Sequence, residues 1–144
     1  MKYVPHIILI LFSLCCNAQE WQATYEEALT CAKDQDKPIV LVFSGSDWCA
    51  PCIKLEKDIW QSDTFKAYSK ENYILYRADF PRKKANKLPK EKELANGQLA
   101  ETFNPKGHFP LVVVLDREER VLGYTGYKKI APTAYISLLN SFVK

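Results

Sequence analysis

The chain has 144 residues, of which 47% are apolar and 26% charged, and its formal net charge is +3. That is ordinary globular composition, enough for one domain with a real core. So small a net charge does not imply nucleic acid or an anionic membrane as a partner, and the chain has neither internal repeats nor a low-complexity tract.

The N-terminus differs from the rest. Lys2 is followed by an apolar run from Ile7 to Leu14, interrupted only by Ser13, and then by Cys16-Asn17-Ala18, a small-x-small cleavage pattern. The run is shorter than the ~18 residues of a membrane span, so residues 1–18 read as a secretory signal peptide and residues 19–144 as the mature domain. Anchoring to a membrane would follow only from lipidation of Cys15 or Cys16. Leu14 and Cys15 stand where a lipoprotein signal has a small residue, so cleavage after Ala18 is the better fit. The mature protein is expected in the periplasm or otherwise exported, where disulfides persist.

Thr24-Tyr25-Glu26-Glu27 has the T-x-x-E form of a capping box and opens a helix with Tyr25, Ala28, Leu29 and Ala32 on its apolar face. Cys31, at the edge of that face, reads as a half-buried filler rather than a third redox sulfur. Pro38-Ile39-Val40-Leu41-Val42-Phe43 is the apolar run of a buried strand. A short Ser44-Gly45-Ser46-Asp47 loop leads from it into Trp48-Cys49-Ala50-Pro51-Cys52, and Cys52, Leu55 and Ile59 then form one helical stripe.

The two cysteines therefore sit where a strand hands over to a helix. A thiol there meets unpaired backbone N–H groups and the positive end of the helix dipole. In C-x-x-C motifs such surroundings lower a cysteine pKa from about 8.5 into a range of roughly 3.5–7.5. Cys49 is the expected attacking sulfur, and Cys52, on the buried stripe, the slower sulfur that resolves a mixed disulfide. Pro51 falls early enough in the helix to cost no hydrogen bond. The competing readings are half of a zinc site and an inert bridge. Zinc needs four ligands, and Cys31 and His108 are the only further candidates, without ligand spacing.

Farther on, Ser62-Asp63 caps a short helix carrying Phe65 and Tyr68, and Tyr73 to Phe80 reads as a second buried strand. Residues 81–93 hold Arg82, Lys83, Lys84, Lys87, Lys90 and Lys92 against Glu91 and Glu93. This charge run reads as a solvated loop and helix start rather than a docking patch. Leu94, Ala95, Leu99 and Phe103 mark a helix weakened by Asn96-Gly97. A turn-rich loop, Asn104 to Pro110, feeds Leu111-Val112-Val113-Val114-Leu115, the strongest strand signal in the chain. Residues 116–119 form a hairpin turn into a strand over 120–125. Pro132 starts a last helix with Tyr135, Leu138, Leu139 and Phe142 inward. Helix-linked strands followed by a hairpin predict an α/β domain with a mixed central sheet flanked by helices.

The W-C-x-x-C after a strand, the proline before a buried strand and the closing hairpin and helix together resemble the thioredoxin fold. Phe43-Ser44-Gly45-Ser46-Asp47-Trp48-Cys49 and Asp79-Phe80-Pro81 are similar to small exported thioredoxin-like proteins, related to the C-terminal domain of DsbD and to thioredoxin-like disulfide isomerases. The resemblance implies a thiol–disulfide oxidoreductase, reductase or isomerase, with catalytic Cys49 and Cys52. It implies that Pro110 is a cis-proline facing them, and that Trp48, Phe109 and Pro110 form the substrate-binding surface. It implies no metal and no organic cofactor. The implied partners are protein disulfides or thiols and a membrane electron donor, met by a monomer. The alternative is a non-catalytic thioredoxin-fold binding module with a structural disulfide. The sequence departs from thioredoxin in three places. Val42 or Phe43 replaces a buried carboxylate, Ile53 replaces a lysine, and Leu111 replaces a threonine, while Asp47 reads as a solvated loop residue.

Overall fold

The computed structural model describes residues 21–144, so the signal-peptide reading of residues 1–18, with Cys15 and Cys16, lies outside the described residues. Helix α1 (Tyr25–Gln35) opens with the expected capping box, in which the Thr24 hydroxyl accepts from Glu27 N–H and the Glu27 carboxylate accepts from Thr24 N–H. Asp36, in the left-handed conformation at φ 52°, ends the helix. Strand β1 (Ile39–Ser44) follows, buried along its whole length. Helix α2 (Ala50–Leu55) runs on into a π-helical turn, Glu56–Trp60. The remaining elements are α3 (Asp63–Asn72), β2 (Ile74–Asp79), a 3₁₀ turn at Lys84–Asn86, α4 (Lys90–Phe103), β3 (Leu111–Leu115), β4 (Val121–Thr125) and α5 (Pro132–Phe142).

The four strands lie in the order β2-β1-β3-β4. β1 runs parallel to β2 and antiparallel to β3, and β3 pairs antiparallel with β4. The sheet is thus mixed, as the sequence predicts. Because side chains alternate along a strand, β1 serves two cores at once. Ile39, Leu41 and Phe43 join Tyr76, Val113 and Leu115 under α1 and α4. Val40 and Val42 join Leu75, Val112 and Val114 under the helices that carry Leu55, Ile59, Trp60, Phe65, Tyr135 and Leu139.

Two expectations need correction. Cys31 is not half-buried: it lies in the first of these cores at 7% exposure, its thiol directed at the Gln22 side-chain oxygen. In α4, Leu94 is 58% exposed, whereas Asn96 is fully buried. Asn96 does not weaken the helix, because Tyr76 Oη donates to its Oδ1 (2.7 Å) and its Nδ2 donates to the Asp79 carbonyl (3.1 Å). A buried amide satisfied on both sides is tolerated where an unpaired one would cost about 1–3 kcal/mol. These bonds turn Asn96 and Leu99 toward the sheet and leave Leu94 in solvent.

Tyrosines dominate the chemistry of the interior. Burial, the leading cause, pushes the hydroxyls of Tyr25, Tyr73, Tyr76 and Tyr135 above their ordinary value of 10.0. A group whose pKa is raised by folding contributes stability that is complete below its unfolded pKa and is lost as pH rises toward the folded one. The contribution of these tyrosines is therefore constant up to about pH 10 and declines above it. In a phenolate-absorbance titration, these four should ionise only in the cooperative step that unfolds the protein. Smooth ionisation of these four with the fold intact would contradict this packing.

Candidate functional site

The site lies at the C-terminal end of β1. Beyond Ser44 the chain turns tightly, with Trp48 N–H and Cys49 N–H both donating to the Gly45 carbonyl. Cys49 then stands as the N-cap of α2 in extended conformation, and Cys52 falls in the first turn. Their sulfurs are bonded at 2.12 Å, with Cα atoms 5.2 Å apart. Cys52 N–H points at Cys49 Sγ over 3.3 Å, the bond that a serine or aspartate oxygen makes at an ordinary N-cap. Pro51 occupies the opening turn, where its missing N–H leaves nothing unpaired.

The expected asymmetry of exposure is absent. Cys49 is 5% exposed and Cys52 4%, so in the bonded state both are covered.

Trp48 forms one wall of the site. Its indole N–H donates to the Phe80 carbonyl (2.7 Å), its ring meets Phe109 edge-on at 5.4 Å, and Phe109 meets Phe80 at 5.5 Å. The Arg82 guanidinium covers the indole at 3.7 Å, a cation–π contact. Phe109 and Pro110 are joined by a cis peptide bond. The loop before them is fixed by Asn104, which is 4% exposed, accepts from His108 N–H and donates to the His108 carbonyl, both at 2.9 Å. The structure thus brings together Trp48 and Phe109, two of the three residues read as a docking surface, with Trp48 next to Cys49 in the chain and Pro110 next to Phe109. Phe80, Arg82 and Asn104 had no such role in the sequence reading. Among the described residues no three His, Cys, Asp or Glu side chains converge. At the thioredoxin carboxylate position, Val42 and Phe43 are both buried and untitratable.

Gly45 permits the wall. A Cβ there would lie 2.3 Å from Trp48 Cε2, closer than any real contact. Gly45→Ala should therefore leave the fold intact but displace the indole. The displacement breaks the hydrogen bond to Phe80, at a loss of about 1 kcal/mol. The Trp48 indole proton in an NMR spectrum reports it, and an unshifted resonance would contradict the contact.

Asp47 is not simply solvated. Its carboxylate accepts from the backbone N–H of Arg82 (2.9 Å) and Lys83 (3.0 Å) and from the Asn86 side-chain amide (3.0 Å). The Arg82 N–H is the largest of the effects that hold this carboxyl below its usual 3.8. Because folding lowers the pKa, the tie is complete above pH 3.8 and fails as pH falls through the lower folded value. Protection of the Arg82 and Lys83 amides, measured against their intrinsic exchange rates, should fall in Asp47→Ala at neutral pH, and in the unmutated protein only in that acid range. Asp79 makes the companion tie, accepting from Ser46 N–H and Oγ.

A family model described as thioredoxin-like matches residues 20–117 of this strand, turn and capped-helix arrangement. The chain belongs to the thioredoxin-like family. This thioredoxin-like protein is 37% identical over 125 residues to the disulfide bond reductase DsbH of Chlamydia pneumoniae, a match covering 87% of this chain and 73% of that protein. Among solved structures, the DsbH oxidoreductase superposes with a TM-score of 0.80 at 35% identity, covering 86% of this chain and 83% of that one. A disulphide isomerase from Xylella fastidiosa Temecula1 shares the fold, with a TM-score of 0.62 at 19% identity over 83% of this chain and 88% of that one. The bonded C-x-x-C pair and the homology to DsbH make the chain a thiol–disulfide oxidoreductase.

Proposed function

We propose that this protein is an exported disulfide reductase in which Cys49 attacks and Cys52 resolves. The observation that carries the assignment is the Cys52 N–H aimed at Cys49 Sγ. Once the bridge is open, that donor and the N-terminal end of α2 favour a thiolate on Cys49 over its thiol. The Cys49 thiolate attacks one sulfur of a substrate disulfide, forming a mixed disulfide and releasing the other sulfur as a thiolate that takes up a proton. Cys52 loses its proton and attacks Cys49 Sγ, which frees the second substrate thiol and closes the Cys49–Cys52 bridge. Two electrons pass from the dithiol to the substrate, and a donor dithiol, supplied by a membrane partner, must return them. Without a buried carboxylate at Val42 or Phe43, the Cys52 proton leaves to solvent or to the substrate rather than through the relay of thioredoxin.

Trp48, Phe109 and Pro110 form the docking surface for the substrate chain, with the Phe109 backbone offered as a strand partner. The mature protein begins at Gln19, after a leader of residues 1–18, and is periplasmic or otherwise exported. The name borne by the relative at 37% identity, disulfide bond reductase, supports reduction as the direction of the reaction.

The test is turnover of insulin disulfides. Catalytic amounts of the protein should speed insulin reduction by dithiothreitol well beyond the reagent alone. No acceleration would remove the reading. The low exposure of both cysteines favours the other reading, a docking module with an idle bridge. That reading predicts a Cys49 that stays unalkylated under mild reductant.

A further inference from the structure

The cationic stretch that the sequence presents as a solvated loop is fastened to Asp47 and Trp48, the residues that lead into the disulfide. Between 82 and 93 it carries Arg82, Lys83, Lys84, Lys87, Lys90 and Lys92 against Glu91 and Glu93, while the whole chain has a net charge of only +3. The positive surplus of the protein therefore resides here. Its start is held by the Asp47 carboxylate, by the Trp48 indole on the Phe80 carbonyl, and by the Arg82 guanidinium stacked on that indole. Asp47 precedes Cys49 by two residues, which span at most about 7 Å. The anchor thus lies about one Debye length, roughly 8 Å at physiological ionic strength, from the sulfurs. Among the described residues, the ion pairs lie elsewhere, between Arg77 and Glu56 and around Arg117 and Arg120, and none of them engages these six cations.

We infer that this stretch is a cationic rim that selects disulfide substrates whose cysteines lie among aspartates and glutamates. The inference rests on the reading of Cys49 as the attacking sulfur and names the class of protein it serves. Behind the rim the wall is apolar, made of Trp48, Phe80 and Phe109, so a neutral substrate still docks against it. The rim adds attraction during the approach, which raises the encounter rate more than it tightens the complex. An anionic membrane would be the other taker of such charge. A membrane patch, however, gains nothing from being tied to the residues beside the sulfurs, and that tie is what the structure shows.

The experiment compares kcat/KM for two disulfide peptides of equal length, one with Asp and Glu flanking the cysteines and one with Asn and Gln. They are assayed with the unmutated protein and with Lys83→Gln/Lys84→Gln/Lys87→Gln, whose exposed side chains donate none of the hydrogen bonds of the Asp47 tie. At low salt the unmutated protein should prefer the acidic peptide by about tenfold. The triple variant, or salt raised several-fold, should reduce that preference to about twofold while the neutral peptide is reduced as before. Equal kcat/KM for the two peptides at low salt would overturn the inference and leave the Cys49 reading standing. Binding of the protein to phosphatidylglycerol vesicles without a peptide preference would overturn it in favour of the membrane. Turnover of neither peptide would overturn the Cys49 reading and the inference with it.

Discussion

Cys49→Ser should lower disulfide turnover by about a thousandfold or more, because a serine hydroxyl at an N-cap neither ionises near neutral pH nor forms a bond to sulfur. The fold should survive, since serine is an ordinary N-cap and its Oγ can accept the Cys52 N–H that Sγ accepts now. Cys52→Ser should behave differently. The first attack remains possible but nothing resolves its product, so the protein accumulates as a mixed disulfide with substrate, visible as a mass increase that dithiothreitol removes. Equal loss in both variants with no trapped adduct would reverse or abolish the assignment of roles.

The unequal roles cannot be read from exposure, since both cysteines are covered. They follow from the backbone, where one sulfur is the cap and accepts an N–H while the other lies inside the turn. Sequence spacing predicts this much, because a strand followed at once by C-x-x-C and a helical stripe leaves few places for the helix to begin. The same local rules yield the capping box at Thr24 and the apolar strands on either side of the site. Local rules do not reach the residues whose partners are remote in the chain. Asp47 reads as a solvated loop carboxylate until the fold places residues 82–86 against it. Asn96 reads as a helix-weakening residue until the Tyr76 hydroxyl, twenty positions earlier, reaches it from β2. Arg82 is one of six cations in a charged run, and only the structure distinguishes it by stacking it on Trp48.

Trp60 is the largest such case for stability. It stands at the end of the π-helical turn, 2% exposed, directly after the fully buried Ile59. Its indole contacts Trp21 at 5.9 Å, Phe65 at 4.6 Å and Tyr135 at 5.5 Å, joining the segment after the cysteines to α3 and α5. Trp60→Ala should cost about 3–5 kcal/mol, the range for deleting a buried aromatic side chain that three neighbours cannot collapse to fill. Denaturant unfolding should show the loss as a lower midpoint at unchanged slope. A cost below about 1 kcal/mol would mean that the aromatic cluster closes over the gap. Because the turn that carries Trp60 continues α2, the variant should also loosen the helix that positions Cys49, and amide exchange at Cys52 would register it.

The reduction potential of the Cys49/Cys52 couple bears most directly on the proposal that this pair passes electrons to substrates. Equilibration in glutathione or dithiothreitol redox buffers, followed by alkylation and mass analysis, gives it in one titration. A reversible couple near thioredoxin's value of about −270 mV is the predicted result. A bridge that stays closed to below about −300 mV would contradict the proposal and leave a structural disulfide in its place.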